Sequence, residues 1–363
     1  MKQAAAFFRV DASSAIGGGH LSRCLALASR LAQSGVSIHF LSSPLDQDYQ
    51  RQITSRGYEL ITVAPGGHAP EPRSAGWLAA DAQFCANALA ASPRQGRRIL
   101  VVDHYSLDRR WQLALRSCLD TIVVIDDLAD RPHDCDVLVD QAYGGDASRY
   151  EGLVPDRCIG LFGTRYALLR PEFAEWREKR IRSMRNWGRP RVIHVFFGTE
   201  DARANTLRFT RLLLRIDPAL EIRVAVSARY PDPASLDELH RASDGRMTWE
   251  AVGPKMAEHM AGCDAALGAP GQATWERACL GLPALYVAVS DNQVAILERL
   301  REAGLCAYLD VDRNLSDEAF QHGCMSFLSG VEALEAMSAR ALSAVDGMGS
   351  ERVADQVLAS ALQ

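Results

Sequence analysis

DASSAIGGGHLSRCLALA, residues 11–28, decides how the chain is read. It follows an apolar run, Ala4–Val10, that reads as a buried strand, and it opens an amphipathic run that reads as a helix. Gly17, Gly18 and Gly19 strip every Cβ from the turn between them, so a ligand can approach bare backbone. The N–H groups of a first helical turn lack intrahelical partners and carry the positive end of the helix dipole, which suits an anionic or highly polar ligand. His20, at the helix entrance, brings the side chain that titrates nearest neutral pH. The functional reading is that the rest of the chain holds a substrate's reacting carbon against His20. The plain reading is a tight turn with His20 as a cap, since GGGH does not fit the G-x-G-x-x-G dinucleotide pattern. Arg9 and Asp11 at the strand end, and Arg23 one turn into the helix, favour function.

Outward from this turn, short β-branched runs alternate with helical patterns, as in a parallel sheet covered on both faces. VSIHFLSS, YELITVA, RRILVVDHY, TIVVIDDLA and DVLVDQ continue as strands of a first half. The Pro- and Gly-rich loop at 65–76 is its most mobile segment by composition. From about Tyr143 to Arg191 the alternation lapses, and the basic run there reads as a solvated helix face in an interdomain connection. It resumes with VIHVFFG, EIRVAVS, MTWEAV, DAALGA, PALYVAV and CAYLD, each followed by a helical stretch, and the tail from Ser316 to Gln363 reads as helical throughout. The expected architecture is α/β: two doubly wound Rossmann-like domains facing across a cleft, with a C-terminal helical tail and any ligand at the carboxyl ends of strands. The expected boundaries are 1–165 for the first domain, 166–190 for the connection, 191–345 for the second domain and 346–363 for a last helix packing back on the first.

Composition narrows the class. The 363 residues are too many for one average core, and 48% hydrophobic with 23% charged residues is ordinary for a globular protein. A net charge of -5 argues against nucleic acid as a partner. No apolar run approaches the roughly 20 residues that span a bilayer. The N-terminal apolar run reads as the first strand and not as a leader, because its removal would delete core. Nine scattered cysteines form no CxxC or other metal-ligand spacing, and free thiols in a reducing cytoplasm are expected.

Four further readings bear on chemistry. Asp103, His104 and Tyr105 stand at a strand end, where Asp103 could hold an imidazole and Tyr105 a sugar or a water; a capped turn is the plain reading. Asp126 and Asp127 end the next strand, and without a third oxygen ligand at a telling spacing they read as helix capping and solvation. GAPGQATWERACLGLPA, from Gly268 to Ala284, places the N–H groups of Gly271, Gln272 and Ala273 at a helix start, a diphosphate-binding geometry. Glu276, one turn in, can accept from both hydroxyls of a ribose, or simply face the helix dipole. In FFGTEDARANT, Thr199, Asp201 and Asn205 face the expected cleft, and Asn292 is placed with the sugar contacts.

Together these stretches resemble the pseudaminic acid pathway UDP-sugar hydrolase family and its spore-coat and surface-polysaccharide relatives. The signature R-x-D-x₄-I-G-x-G-H-x-x-R-x-x-x-L-A is met by Arg9, Asp11, Ile16, Gly17, Gly19, His20, Arg23, Leu27 and Ala28. DHY at 103–105, IDDLADR, RYALLRPEF at 165–173 and the TWE of the second half also match, so the resemblance runs over essentially the whole chain. It implies a two-Rossmann (GT-B) glycosyltransferase fold turned to hydrolysis. Water attacks the anomeric carbon with inversion, releasing UDP and free sugar, with no metal and no cofactor. The catalytic histidine falls on His20, with Tyr105 near the same water. The ribose falls against Glu276, the phosphates against residues 271–274, ending at Thr274, and the uracil against backbone near Val252 and Gly253. Two departures stand out. Pro270-Gly271-Gln272-Ala273 replaces a Gly-Gly-Ser/Thr-Thr-like run, and Gly198-Thr199-Glu200-Asp201 replaces Gly-Gly-Ser/Thr-Asp. The expected protein is a cytoplasmic monomer or weak homodimer. An inverting glycosyltransferase, a sugar-nucleotide 2-epimerase and a non-catalytic sugar-nucleotide binder are the alternatives.

Overall fold

A computed structural model of the chain describes residues 4–13, 16–63, 74–93, 96–183, 187–199, 201 and 203–362. Most of the loop at 65–76 and Glu200 therefore lie outside the described residues. The chain divides into two compact units, residues 1–170 with 348–363, and residues 171–347.

The first unit runs β1 (Ala4–Val10), α1 (Gly19–Gln33), β2 (Ser37–Ser42), α2 (Gln47–Thr54), β3 (Glu59–Thr62), α3 (Ala75–Ala91), β4 (Arg97–Asp103), α4 (Arg109–Leu115), β5 (Thr121–Ile125), β6 (Val137–Asp140) and β7 (Ile159–Phe162). Its seven strands pair in parallel in the order β3-β2-β1-β4-β5-β6-β7. Buried strands of this kind need apolar residues on both faces, which is why AAAFFRV and RILVVD read as near-continuous apolar runs. β7 lies in the stretch read as irregular; a strand of four residues with Gly160 inside leaves too short a pattern to recognise.

Side-chain alternation assigns the two faces. Phe8, Val10, Ile99, Val101, Val123 and Ile125 pack on one face with Leu21, Cys24, Leu25, Ala28 and Leu31 of α1. Those α1 residues recur at helical spacing, and Val353, Ala354, Val357 and Ala361 of the last helix complete the same cluster. Phe7, Leu100, Val102, Ile122 and Val124 point to the other face, against Trp77, Leu78, Ala82 and Cys85 of α3 and Trp111 and Leu115 of α4.

The second unit runs α5 (Pro171–Ser183), β8 (Val192–Phe196), α6 (Asn205–Ile216), β9 (Glu221–Val226), α7 (Pro233–Ala242), β10 (Met247–Ala251), α8 (Met256–Ala261), β11 (Ala265–Gly268), α9 (Gln272–Cys279), β12 (Ala284–Ala288), α10 (Val294–Glu302), β13 (Ala307–Val311), α11 (Asp317–Ser329) and α12 (Val331–Ala344). Six parallel strands take the order β10-β9-β8-β11-β12-β13. The basic run expected to be a connection begins as α5, which belongs to this unit. The tail is three helices, broken at Gly330 and again between α12 and α13 (Gly349–Leu362); α13 packs against α1 in the first unit. Among the described residues no helix is long and apolar enough to cross a membrane.

In both sheets the chain order reverses beside the first strand, between β1 and β4 and between β8 and β11. Such reversals open a crevice at the carboxyl ends of strands. At the second one, Gly268 pairs with Phe196, and a Cβ there would come within 1.9 Å of the Phe196 carbonyl oxygen.

The core also makes the fold acid-sensitive. His133 is 1% exposed and accepts from Gln112 Nε2 at 3.0 Å, and burial lowers its pKa from 6.5 to about 4. Burial, then the charge of Arg277, lowers that of His194 as well. As the pH drops below 6.5 the unfolded chain takes up protons that the folded chain refuses until about pH 4, so stability falls across that window. Urea unfolding at pH 7 and pH 5 should show a loss of about 2 kcal/mol from His133 alone. A His133→Gln variant should lose correspondingly less over the same interval.

Candidate active site

Backbone pairing of β1 with β4 sets Val10 opposite Asp103, so the glycine turn after β1 and the DHY stretch after β4 emerge side by side. Asp103 continues the parity of Ile99 and Val101 and faces α1, where it is 1% exposed. His20 Nδ1 lies 2.6 Å from Asp103 Oδ1. Arg23, one turn further along α1, donates from Nε to Asp103 Oδ2 at 2.7 Å and from Nη2 to Oδ1 at 2.8 Å. Cys24 Sγ adds a weaker contact at 3.6 Å. Burial works to raise the Asp103 pKa, but the charges of Arg23 and His20 and their hydrogen bonds prevail and hold it well below the usual carboxylate range.

An ionised Asp103 can only accept, so the proton of the 2.6 Å contact sits on His20 Nδ1, with Arg23 Nη2 at 3.2 Å from the same nitrogen and Nε2 turned away from both. The His20 side chain is 14% exposed. Tyr105 meets it edge-to-face, with centroids 4.6 Å apart and planes at 85°. The Tyr105 hydroxyl donates to Asp127 Oδ1 at 2.8 Å, while Arg23 Nη1 donates to Asp127 Oδ2 at 2.9 Å. Burial, then the Asp127 carboxylate, push the phenol well above its ordinary value, so it remains a hydrogen-bond donor. Asp127 was read as capping or solvated; the parity of Val123 and Ile125 carries it to the α1 side, where Arg23 takes it up. Asp126, of opposite parity, is buried and closes a turn where no helix begins, accepting from Ala129 N at 2.9 Å and from the Tyr150 hydroxyl at 3.1 Å.

A second cluster backs the first. Arg9 shares the parity of Phe7, points toward α3 and is 0% exposed. It donates to Asp81 Oδ2 at 2.6 Å and to Asp11 Oδ1 at 2.5 Å. Asp81, also held by Trp111 Nε1 at 2.9 Å, escaped the sequence reading. Its signal was present: Leu78, Asp81, Ala82 and Cys85 recur on one buried helical face, and a carboxylate there needs a cation. Asp11 further accepts from Ser43 N at 2.8 Å and faces His104 Nε2 at 3.0 Å. His104 Nδ1 accepts from Ser106 N at 3.1 Å, and the ring stacks on Trp77. His104 is thus a strut for Asp11. Burial opposes the ionisation of Asp11, but Arg9 and then His104 hold its pKa far below normal.

Of the three glycines, only Gly17 has a positive φ, 82°; its N–H bonds Ser13 O at 2.7 Å. Gly18 occupies the capping position of α1, Gly19 is its first residue, and no side chain caps the helix or adds an acid to its first turn.

In the second unit, Thr274 Oγ1 accepts from Gly271 N at 3.1 Å. The Gly271 N–H, expected to be presented to a ligand, therefore caps its own helix, and Gln272 and Ala273 follow as the first helical residues. Glu276 is 6% exposed. Arg277, which the sequence reading passed over, donates to Phe196 O at 2.9 Å and to Ala269 O at 3.2 Å, tying the ends of β8 and β11 together. Asp201, expected to face substrate, accepts from Asn205 N at 2.9 Å and Thr206 N at 2.8 Å, which makes it the cap of α6. Asn205 turns to Asp312 at 2.7 Å. Thr199 is half-buried, its carbonyl accepting from Ser227 Oγ at 2.9 Å. Val252 N bonds Val226 O at 3.0 Å, Gly253 is exposed, and exposed Asn292 accepts from Ser290 Oγ at 2.5 Å. Among the described residues the side chains close enough together to share a metal are His194 within β8, His259 of α8 and Cys263, all buried.

Over the whole chain, the structure is similar to MurG of Acinetobacter baumannii, with 15% identity, 98% of this chain and 99% of that chain covered and a TM-score of 0.67. It is also similar to UGT71G1 of Medicago truncatula, solved with UDP-glucose, with 12% identity, 98% of each chain covered and a TM-score of 0.65. The chain has the GT-B glycosyltransferase fold. In sequence, this GT-B chain is 30% identical over 168 residues to the UDP-2,4-diacetamido-2,4,6-trideoxy-β-L-altropyranose hydrolase of Campylobacter jejuni, so the resemblance read from the motifs is found. That match takes in 46% of this chain and 52% of the hydrolase, so the chain spans about half the length of the curated relative it matches. No family model matches it.

The geometry predicts how the imidazole is set. Nitrogen-detected NMR should find a His20 Nδ1 proton hydrogen-bonded to Asp103, and should lose that signature in Asp103→Ala. The same variant strands the Arg23 guanidinium beside a missing partner and should cost about 3–5 kcal/mol on urea unfolding.

Proposed function

We propose that this protein hydrolyses a UDP-activated amino or deoxy sugar at its anomeric carbon with inversion, releasing UDP and free sugar. The observation that carries this reading is the His20–Asp103 pair, where the start of α1 meets the end of β4, with the second ring nitrogen of His20 outside that pair and proposed to take up a water's proton. Asp103 fixes the tautomer and favours the imidazolium that forms when Nε2 takes the water's proton, as the carboxylate does in hydrolytic triads. The water's oxygen then bonds to the anomeric carbon as the bond to the diphosphate oxygen breaks. Tyr105, a donor held by Asp127, is placed to orient that water or a sugar hydroxyl.

The leaving group needs no proton if dipoles and N–H groups hold its charge. In this reading the start of α9 takes that role, with Gln272 and Ala273 toward the diphosphate and Glu276 toward the ribose hydroxyls; Thr274, also expected at the phosphates, instead has its hydroxyl and its N–H bonded to Gly271, and Val252 and Gly253 offer backbone to the base. The C. jejuni relative, a hydrolase of a UDP-activated diacetamido-trideoxy sugar, supports a UDP-sugar as substrate and hydrolysis as the reaction; a cytoplasmic, pseudaminic acid-like pathway of surface-glycan synthesis is what the motif resemblance adds to the proposal. A second reading, an inverting glycosyltransferase, is favoured by the structural neighbours and differs in needing an acceptor.

Incubation with UDP-sugars and no acceptor separates the two. Release of UDP with free sugar of inverted anomeric configuration is expected, and release only on adding an acceptor would establish a transferase. His20→Ala and His20→Asn should fold normally and lose about 10²–10⁴-fold in turnover. Glu276→Ala should weaken UDP binding about tenfold in calorimetry, corresponding to roughly 1.4 kcal/mol, while sparing the His20 tautomer.

A further inference from the structure

Cys135 and Cys158 precede β6 and β7, neighbouring parallel strands whose pairing begins at Val137 and Ile159. A main-chain bond from Ile159 N to Asp136 O at 2.9 Å holds the two approaches together, and the sulfurs lie 3.5 Å apart. In that register Cys158 stands opposite Asp136, one position along from Cys135; a spacing of about 4.8 Å with an offset of about 3.3 Å puts the two Cα atoms roughly 5.8 Å apart, within the separations a disulfide tolerates, so a bond between these sulfurs needs little movement of the backbone. Cys135 is buried and Cys158 is half-buried. The other half-buried cysteine, Cys118, has the Ser117 hydroxyl beside it at 3.9 Å.

We propose that Cys158 and Cys135 form a thiol-oxidation site that peroxides convert to an intrachain disulfide. Cys158 is the attacking sulfur: it is the more accessible one, and as a thiolate it can only accept the hydrogen bond of the Cys135 thiol. That hydrogen bond holds the Cys158 pKa below its ordinary value; burial opposes this and the Arg157 guanidinium assists it. The Cys158 thiolate bonds to one peroxide oxygen as the O–O bond breaks, giving a sulfenic acid and a hydroxide that takes a proton to become water. The Cys135 sulfur then bonds to Cys158 Sγ, the S–O bond breaks, and the hydroxyl leaves as a second water with the Cys135 proton. Two thiols lose two electrons and one peroxide gains them.

The new bond would close a loop between residues 23 positions apart. That loop carries Arg149 and Tyr150, whose side chains brace the preceding strand end: Arg149 Nη2 donates to Asp127 O and the Tyr150 hydroxyl to Asp126 O, each at 2.9 Å. Oxidation therefore fastens the support of Asp127 without touching His20.

The test treats the full chain with hydrogen peroxide at neutral pH, alkylates remaining thiols in denaturant, and maps the cysteines by peptide mass. A Cys135–Cys158 peptide pair, lighter by two hydrogens, should form before Cys118 is modified and should vanish on reduction. The thermal midpoint of the oxidised chain should rise by several degrees. In Cys135→Ser, a dimedone-reactive sulfenic acid should accumulate at Cys158 instead. Wild-type protein with native circular dichroism that yields no linked peptide, or in which Cys118 reacts as fast as Cys158, would overturn the proposal. The wild-type arms decide it even if a variant fails to fold.

Discussion

One buried carboxylate organises the first unit. Asp103 ends β4 on the face covered by α1, and burial alone would drive it toward the neutral acid. Arg23 prevents that with two hydrogen bonds, and an ionised Asp103 in turn sets the ring of His20. The arrangement depends on β1 and β4 being hydrogen-bonded neighbours, since only then do the glycine turn and the DHY stretch leave the sheet together. Removing any one charge leaves another uncompensated in a low-dielectric setting, which is the costly failure of buried ion pairs.

The same constraint explains why charge runs so deep beside the strand ends. Arg9 is enclosed between β1 and α3, and it carries Asp11 and Asp81 on opposite sides of its guanidinium. Asp11 links that cluster to His104 and Ser43, and Arg23 links Asp103 to Asp127 and, through it, to Tyr105. Such networks add little net stability compared with apolar packing, but they fix the geometry of the groups at their exposed edge. The exposed edge here is an imidazole and a phenol at the carboxyl ends of parallel strands, where the topology already opens a crevice.

The second unit repeats the topology with a different use of polar groups. Arg277 draws the carbonyls of Phe196 and Ala269 together beneath the turn, and Thr274 and Asp201 are consumed in capping α9 and α6. Thr274 is thus a structural hydroxyl at the start of α9, where its own N–H also bonds Gly271 O at 2.9 Å.

What the sequence determined by itself was the alternation of buried strands and amphipathic helices, because apolar period and glycine placement are local properties. It also singled out His20, Arg23, Asp103 and Tyr105, since each lies within a few residues of a strand end. Tertiary structure alone decided the rest. Which carboxylates meet which cations follows from strand order and face parity, and these bring residues 80 or more positions apart within hydrogen-bond reach. Asp127 read as a surface cap because nothing local reveals that β5 lies beside β4 and under the same helix. Asp201, the mirror case, read as a ligand contact because its two amide partners are fixed only once α6 has formed.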